Sequence, residues 1–282
     1  MRRLIVNADD FGLTAGVNRA IAELHGAGAV TSATLMAGAQ AAAGAIEIAR
    51  SMPSLGVGCH VVLTGGAPVL NSREISSLVD PRSGRFYSSP ASFLKRLFAG
   101  QIRPEEIEAE ITAQIRRLQS AGVALTHVDT HKHTQILPQV LRPLLRAARA
   151  CGIRAIRNPF EPAWSRRAAK HAPWARRAQV SGIGLLAARF HRIVREAGFV
   201  TTDGALGLTA TGTLDGPFLT SLLHAMPEGT WELVAHPGYN DADLSKVRTR
   251  LRASRENERR ALLDAIPGAE VDLVSFAALG KT

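Results

Sequence analysis

The chain has 282 residues and a formal net charge of +10, with 46% hydrophobic and 21% charged residues. This length suits one large α/β domain or two small ones, and the composition is that of a globular protein. No apolar run is long enough to span a bilayer, and the first residues lack a signal-peptide core. The two cysteines favour a reducing compartment over a disulfide scaffold, so we expect a cytoplasmic location.

Positive charge is concentrated in residues 164–196, which contain eight Lys and Arg residues and one acidic residue, Glu196. Trp164 and Trp174 lie in the same segment. A solvated basic face is the simplest interpretation, and contact with anionic lipid or an acidic substrate is the alternative. The latter would make the protein peripheral at the inner membrane surface. No nucleic-acid-binding motif accompanies the charge, so nucleic acid is not an expected partner.

Short β-rich runs alternate with longer amphipathic or Ala-rich stretches along the chain. Strands are predicted at residues 4–8, 33–37, 57–63, 125–129, 155–157, 206–209, 233–235 and 271–275. Helices are predicted near residues 14–28, 40–51, 104–121, 138–151, 174–197, 215–226 and 243–265. Strand–helix alternation repeated in this way predicts βα units and a mainly parallel sheet.

A distorted TIM-like (β/α) barrel is favoured over an open sheet. The length is usual for a barrel, and no Gly-rich dinucleotide loop follows the first strand. We therefore predict a single domain over residues 1–282. Residues 65–103 form a long excursion containing Pro, Ser and Gly. An excursion of this length is typical of an active-site lid, and an ordinary surface insertion is the alternative.

Chemically active side chains recur where the predicted strands end, and the carboxyl ends of barrel strands are where βα barrels hold their active sites. Two adjacent carboxylates close the first strand in "VNADDFG". The fourth strand ends in "THVDTHKH", whose residues at spacing two share one face while the chain is extended. We expect His127 on the opposite face, as packing. The candidate residues at the strand ends are Asp9, Asp10, His60, Asp129, His131, His133 and His236.

Two histidines, one carboxylate and an open position are what a catalytic metal centre needs. Adjacent aspartates allow one side chain to bind the metal while the other takes a proton from water. A nearby histidine can then protonate a leaving nitrogen. The pattern predicts a hydrolytic site with one divalent ion, Mg or Zn, although Mn and Co also tolerate a mixed N/O donor set.

Four blocks of the sequence resemble those of the YdjC-like carbohydrate deacetylase family. They are "LIVNADDFGLT", "GCHVVLTGGAPV", "THVDTHKHTQILPQV" and "ELVAHPGY". The family includes chitooligosaccharide deacetylases and hopanoid biosynthesis-associated deacetylases, and the resemblance covers nearly the whole chain in the same order. It implies a distorted βα barrel, a divalent metal, removal of acetyl groups from N-acetylated sugars, and a homodimer.

The resemblance also implies roles for individual residues. Asp10, His60 and His131 match the metal ligands, Asp9 matches the general base, and His236 matches the general acid.

Other residues have less specific assignments. Asp129 would orient a ligand or contact substrate, and His133 would assist or replace His131 or contact substrate. Arg157, in "RNPFEP", would contact substrate or form a surface ion pair. Arg255 and Glu256 match a block without an assigned role, and surface pairing on a helix is expected for them.

The sequence departs from the chitooligosaccharide branch after the second histidine ligand. Lys132, Thr134 and Gln135 stand where that branch has more histidines, and "RAIRNPFEP" resembles the hopanoid-associated branch. The predicted function is a metal-dependent N-deacetylase that releases acetate from an N-acetylglucosamine-type unit, in a free oligosaccharide or a glycolipid. The alternatives are metal-dependent hydrolysis of another bond, such as a phosphoester, and a non-catalytic protein that binds glycans or a membrane surface.

Overall fold

The computed structural model describes residues 1–169 and 172–279. In this part of the chain the strands are β1 (Arg2–Phe11), β2 (Ser32–Leu35), β3 (Gly56–Val61), β4 (Leu125–Thr130), β5 (Gly204–Leu206), β6 (Gly229–Ala235) and β7 (Asp272–Leu273). The α-helices are α1 (Ala15–Gly26), α2 (Ala42–Ser51), α3 (Pro90–Phe98), α4 (Pro104–Ser120), α5 (Pro138–Ala150), α6 (Ala163–Ala168), α7 (Trp174–Ile183), α8 (Ala187–Glu196), α9 (Gly216–Ala225), α10 (Ala242–Ser245) and α11 (Ala253–Ala265). Short 3-10 helices occupy His131–Ile136, Gly184–Leu186 and Phe276–Ala278.

The strands form one parallel sheet in the order β4-β3-β2-β1-β6-β5, and β7 pairs with the start of β1. A narrow seam of isolated β-bridges joins the two edges of the sheet. Ile156 pairs with Val128 of β4, and Ala155 pairs with Val200, just before β5. Helices lie between successive strands, so the predicted fold, a distorted TIM-like barrel in a single α/β domain, is confirmed.

Alternation along β1 separates the outer core from the barrel interior. Leu4, Val6 and Ala8 belong to the large apolar cluster between the strands and the helices. Ile5 instead packs in a small separate cluster with Phe276. The residues that follow at the same parity, Asn7 and Asp9, therefore lie inside the barrel nearer the carboxyl ends of the strands.

Aromatic stacking closes the lower end of the barrel. The rings of His127 and Phe276 are nearly parallel, with centroids 3.7 Å apart. The expectation that His127 faces away from Asp129 is wrong: residues two apart on a strand share a face. His127 is nevertheless a fully buried packing residue.

Two predicted helices are interrupted. The prediction over 174–197 becomes α7 and α8, which are separated by the 3-10 turn Gly184–Leu186 because Gly182 and Gly184 weaken the helix there. The prediction over 243–265 becomes α10 and α11, because the Thr249 hydroxyl accepts from the Leu251 amide and turns the chain between them. The predicted strand at 155–157 contributes only the bridging residues of the seam.

The excursion over 65–103 is well packed and contains α3. Ile75, Leu78 and Phe93 are fully buried. Glu110 of α4 accepts the backbone amides of Val69 and Leu70 at 2.8 and 3.0 Å. The role of this excursion as a lid stays a prediction.

Neither of the two cysteines, which both lie in the described part of the chain, forms a disulfide. Cys59 is buried and Cys151 is partly buried, and both are free thiols. Among the helices of the described ranges, none combines the length and the hydropathy that crossing a bilayer requires.

We predict that Gly58→Ala destabilises the barrel. A Cβ at Gly58 would lie 2.5 Å from Cε1 of His127, and that ring cannot retreat because it stacks on Phe276. The free energy of unfolding should fall by about 1–3 kcal/mol, measured by urea denaturation. Gly182→Ala in α7 is the control: a Cβ there meets no atom within 4 Å, so stability should be unchanged or should rise by about 0.5–1 kcal/mol. Equal stability of Gly58→Ala and the native protein would contradict this packing.

Candidate metal centre and active site

A local distortion of β1 brings both adjacent carboxylates to the same end of the barrel. Side chains of neighbouring strand residues normally point to opposite faces. Asp10 has a left-handed backbone with φ +65°, and the pairing of β1 with β2 changes register between Ala8 and Phe11. Aspartate tolerates this conformation better than most residues. The bulge therefore aims Asp9 and Asp10 at one site.

Asp10, His60 and His131 converge at the carboxyl ends of β1, β3 and β4. Oδ1 of Asp10 lies 3.4 Å from Nδ1 of His131 and 3.6 Å from Nε2 of His60. The two ring nitrogens are 3.2 Å apart. Asp10 Oδ1 is buried and accepts no hydrogen bond of normal geometry from the described residues. An unsatisfied carboxylate oxygen beside two imidazole nitrogens fits a divalent cation.

Asp129 orients the His60 ring. His60 Nδ1 donates to Asp129 Oδ1 at 2.7 Å, which leaves Nε2 facing Asp10. Burial alone would lower the pKa of His60, but the Asp129 and Asp9 carboxylates raise it to about 9. A carboxylate behind a histidine in this way fixes the tautomer that a metal ligand needs.

A fully buried arginine holds three carboxylates inside the barrel. Arg157 binds Asp9 through two nitrogens, at 2.6 and 2.8 Å, and donates from Nε to Glu232 at 2.7 Å. Its Nη1 also pairs with Asp129. The arginine has no exposed surface, so the predicted surface ion pair is wrong. A guanidinium suits this position because its planar fork matches several carboxylates at once.

One guanidinium cannot balance three buried carboxylates equally. Burial alone would raise the pKa of Asp9, but the Arg157 and His60 charges hold it well below its usual range. Burial raises the pKa of Glu232 to about 8, and Arg157 offsets that effect only in part. Glu232 Oε2 is also buried and unpartnered among the described residues. We therefore expect Glu232 to take up a proton as the pH falls through about 8.

His236 faces Asp9 from the end of β6. Its Nε2 lies 3.9 Å from Asp9 Oδ2. Its backbone amide donates to Oε2 of the buried Glu258 at 2.6 Å, and its Nδ1 is 3.9 Å from the same oxygen. Burial raises the pKa of Glu258. Glu258 thus holds the position of His236 from behind.

The sequence analysis missed Glu232 and Glu258 of this site and assigned Arg255 to the wrong environment. Arg255 was expected to pair on the helix surface, but it is buried and donates to Asp10 Oδ2 at 2.5 Å. Arg255 and Glu258 are three apart on α11 and so share one helix face. That spacing was the available signal, and Glu232 was visible as an acid within the apolar run "WELVA". No local pattern predicts which strand end α11 approaches.

His133 does not lie on an extended strand with Asp129, contrary to the prediction from their spacing. The strand ends at Thr130, and Lys132 and His133 have left-handed backbones with φ 60° and 54°. His133 does not belong to either set of described residues that could hold a cation. Burial and the Arg157 charge lower the pKa of His133 to about 3. Its part in substrate binding stays a prediction.

A second set of side chains, Asp9, His60 and Asp129, is also close enough to hold a cation. Its carboxylates are already bound to Arg157, and its His60 nitrogen already donates to Asp129. The Asp10, His60 and His131 set is therefore the better candidate centre. It is also the set with a route to solvent, because the His131 side chain is 25% exposed.

The fold and the site define a class: βα-barrel proteins with a cluster of histidines and aspartates at the carboxyl ends of the strands. The chain belongs to the YdjC-like protein family, whose sequence profile matches residues 3–267. The resemblance seen in the sequence blocks is thereby confirmed.

Three similar proteins show how far the likeness extends. A carbohydrate deacetylase of Thermoanaerobacter pseudethanolicus is 29% identical over 94% of this chain and 92% of its own. One of Brevibacillus brevis is 44% identical over 52% of this chain, a match that spans about half of that relative, 55%. A crystal structure of an Enterococcus faecalis protein, provisionally named a cellobiose-phosphate cleavage protein, superposes with a TM-score of 0.75 at 25% identity. That superposition covers 98% of this chain and 97% of the other.

We predict that Glu232 makes stability depend on pH. Its folded-state pKa of about 8 lies above that of the unfolded chain, about 4.3. Its contribution is therefore fully present at low pH and is lost as the pH rises toward 8. Urea denaturation from pH 5 to 9 should show a shallower decline for Glu232→Gln, which keeps an oxygen for Arg157 Nε. The exposed control Glu270→Gln should follow the native protein. The same decline in both variants would contradict the assignment of the proton to Glu232.

Proposed function

We propose that this protein is a metal-dependent N-deacetylase that removes acetate from an N-acetylglucosamine-type unit. The observation that carries the proposal is the convergence of Asp10, His60 and His131 beside Asp9 and His236. Membership of the YdjC-like family and relatives named carbohydrate deacetylase support the substrate class.

The metal-binding residues would be Asp10, His60 and His131. A divalent cation there, Mg or Zn, would act as a Lewis acid that polarises a carbonyl oxygen and makes water more acidic. Arg255 would hold Asp10 in place through its second oxygen, since Nη2 donates to Oδ2 while Oδ1 faces the two histidines.

Asp9 would be the general base, acting through Oδ2. Its Oδ1 already accepts from Asn7, Thr34 and Arg157. Oδ2 accepts only from Arg157 Nη1 among the described residues and is the oxygen nearer His236. The low pKa keeps Asp9 ionised, and the fork of Arg157 fixes its orientation. A water that attacks the acetamide carbon would lose its proton to this oxygen.

His236 would be the general acid. Collapse of the tetrahedral intermediate breaks the C–N bond, and Nε2 of His236 would donate a proton to the departing amine. The products would be acetate and a free amino sugar. Glu258 would keep the ring in place by accepting the hydrogen bond of the His236 backbone amide.

The proposal extends to the form of the substrate, the location and oligomeric state of the protein, and the roles of residues 65–103 and Arg157. The substrate would be a free oligosaccharide or a glycolipid, and the protein would be cytoplasmic and form a homodimer. Residues 65–103 would act as the lid, and Arg157 would contribute by orienting Asp9, because its buried donors face carboxylates.

The test is acetate release from N-acetylglucosamine, diacetylchitobiose and a lipid-linked N-acetylglucosaminyl glycoside, with added divalent metal and with chelator. We expect release that requires metal and falls by about a hundredfold or more in Asp9→Asn. Asp272→Asn, an exposed aspartate of β7, is the matched control and should retain activity. Thermal unfolding of Asp9→Asn would verify that the barrel is intact.

Phosphate release from a sugar phosphate is measured in parallel. Phosphate without acetate would assign the site to phosphoester hydrolysis. Sugar binding without release of either product, unaffected by chelator and by Asp9→Asn, would indicate a non-catalytic glycan-binding protein.

A further inference from the structure

An arginine-lined cleft lies outside the active site, between α6 and α7. It has a volume of about 200 Å³ and is lined by Ala163, Arg166, Arg167, Arg177 and Ser181. Three guanidinium groups and a hydroxyl surround it, and no acidic residue is among the lining residues. This donor set fits phosphate oxygens, which arginine binds through its planar fork.

Exposed apolar side chains lie at the start of α7 and just after its end, and α7 contributes Arg177 and Ser181 to the cleft. Trp174, at the start of α7, is 81% exposed, and Leu185, just after α7, is 87% exposed. Large apolar side chains of this kind are usually buried, and exposed ones grouped on a surface indicate a binding face. Tryptophan in particular favours the boundary between lipid headgroups and acyl chains.

The surrounding helices extend the positive charge. The exposed cations of segment 164–196 among the described residues are Arg167, Arg177, Arg189, Arg192 and Arg195, and the acid of that segment is Glu196. Lys170, part of the basic segment, lies outside the described residues. A surface with this imbalance attracts anionic lipid headgroups.

The cleft is fixed beside the mouth of the barrel. Glu161, which precedes α6, accepts from the backbone amides of Gly207 and Thr209 and from Ser165 of α6. Arg176 of α7 donates from Nε and Nη2 to the Leu208 carbonyl at 3.0 and 2.9 Å. The loop at 207–209 leaves β5 at its carboxyl end, which is the end that holds the candidate active site.

We infer that α6, α7 and α8 form a docking surface for an anionic phospholipid bilayer. The arginine cleft receives a lipid phosphate, Trp174 and Leu185 enter the headgroup region, and the outer arginines contact neighbouring headgroups. Because this surface adjoins the mouth of the barrel, docking places the site next to the bilayer. Charge complementarity and the two exposed apolar side chains favour a lipid surface over a soluble anion.

The test is co-sedimentation of the full chain with vesicles of phosphatidylcholine alone, and of roughly seven parts phosphatidylcholine to three parts phosphatidylglycerol. We expect binding to the anionic vesicles only, with a blue shift of tryptophan fluorescence that is lost in Trp174→Phe. Arg167→Glu/Arg177→Glu should weaken binding by about thirtyfold or more. The control Arg116→Glu/Arg117→Glu makes the same charge change on exposed residues of α4 and should weaken binding by less than about threefold.

Three results would overturn the inference. Equal binding to neutral and anionic vesicles would remove the role of charge. Equal losses in the two arginine pairs would show that net charge alone drives binding. Binding of glycerol phosphate, lost in Arg167→Glu/Arg177→Glu, without any vesicle binding would assign the cleft to a soluble phosphate ligand. Vesicle binding is measured without substrate, so its outcome is independent of acetate release.

Discussion

The buried guanidinium of Arg157 is the interaction on which the rest of the site depends. It joins β1, β4 and β6 by binding Asp9, Asp129 and Glu232, which are far apart in the chain. Removing one partner of a buried ion pair is costly because an uncompensated charge remains in the interior. Arg157 thereby lets a barrel of this size keep several carboxylates in its interior. Arg157 does not fully compensate the burial of Glu232, so the pKa of that carboxyl group is raised.

Hydrogen bonds and ion pairs with shared partners connect Arg157 to the rest of the site. Asp129 accepts from His60 on one side and from Arg157 on the other, so the ring that faces Asp10 is positioned by the same arginine that positions Asp9. From the opposite side, α11 provides Arg255 to Asp10 and Glu258 to His236. The candidate ligand and the candidate base are adjacent in sequence but have different arginine partners. The left-handed backbone at Asp10 makes that division possible.

Much of the fold and part of the site could be predicted from the sequence. Alternating strands and helices predict the barrel, and the known geometry of barrels then gathers Asp9, His60, His131 and His236 at one end. The left-handed turn at Lys132 and His133 was not visible, because two successive non-glycine residues rarely adopt that conformation, although histidine tolerates it better than most. Arg157 was visible as a residue but not as a buried one, since its partners come from three distant strands. The strand face of His127 was predicted wrongly, although its spacing of two residues from Asp129 indicates that the two share a face.

The most direct measurement of the central claim is anomalous diffraction from crystals soaked in a zinc salt. The account predicts one strong peak within bonding distance of Asp10 Oδ1, His60 Nε2 and His131 Nδ1, at about 2.0–2.2 Å from each. It also predicts that Arg157 remains bound to Asp9 when the ion is present. A peak between Asp9, His60 and Asp129, or no peak within the barrel mouth at saturating zinc, would contradict the assignment of the ligands.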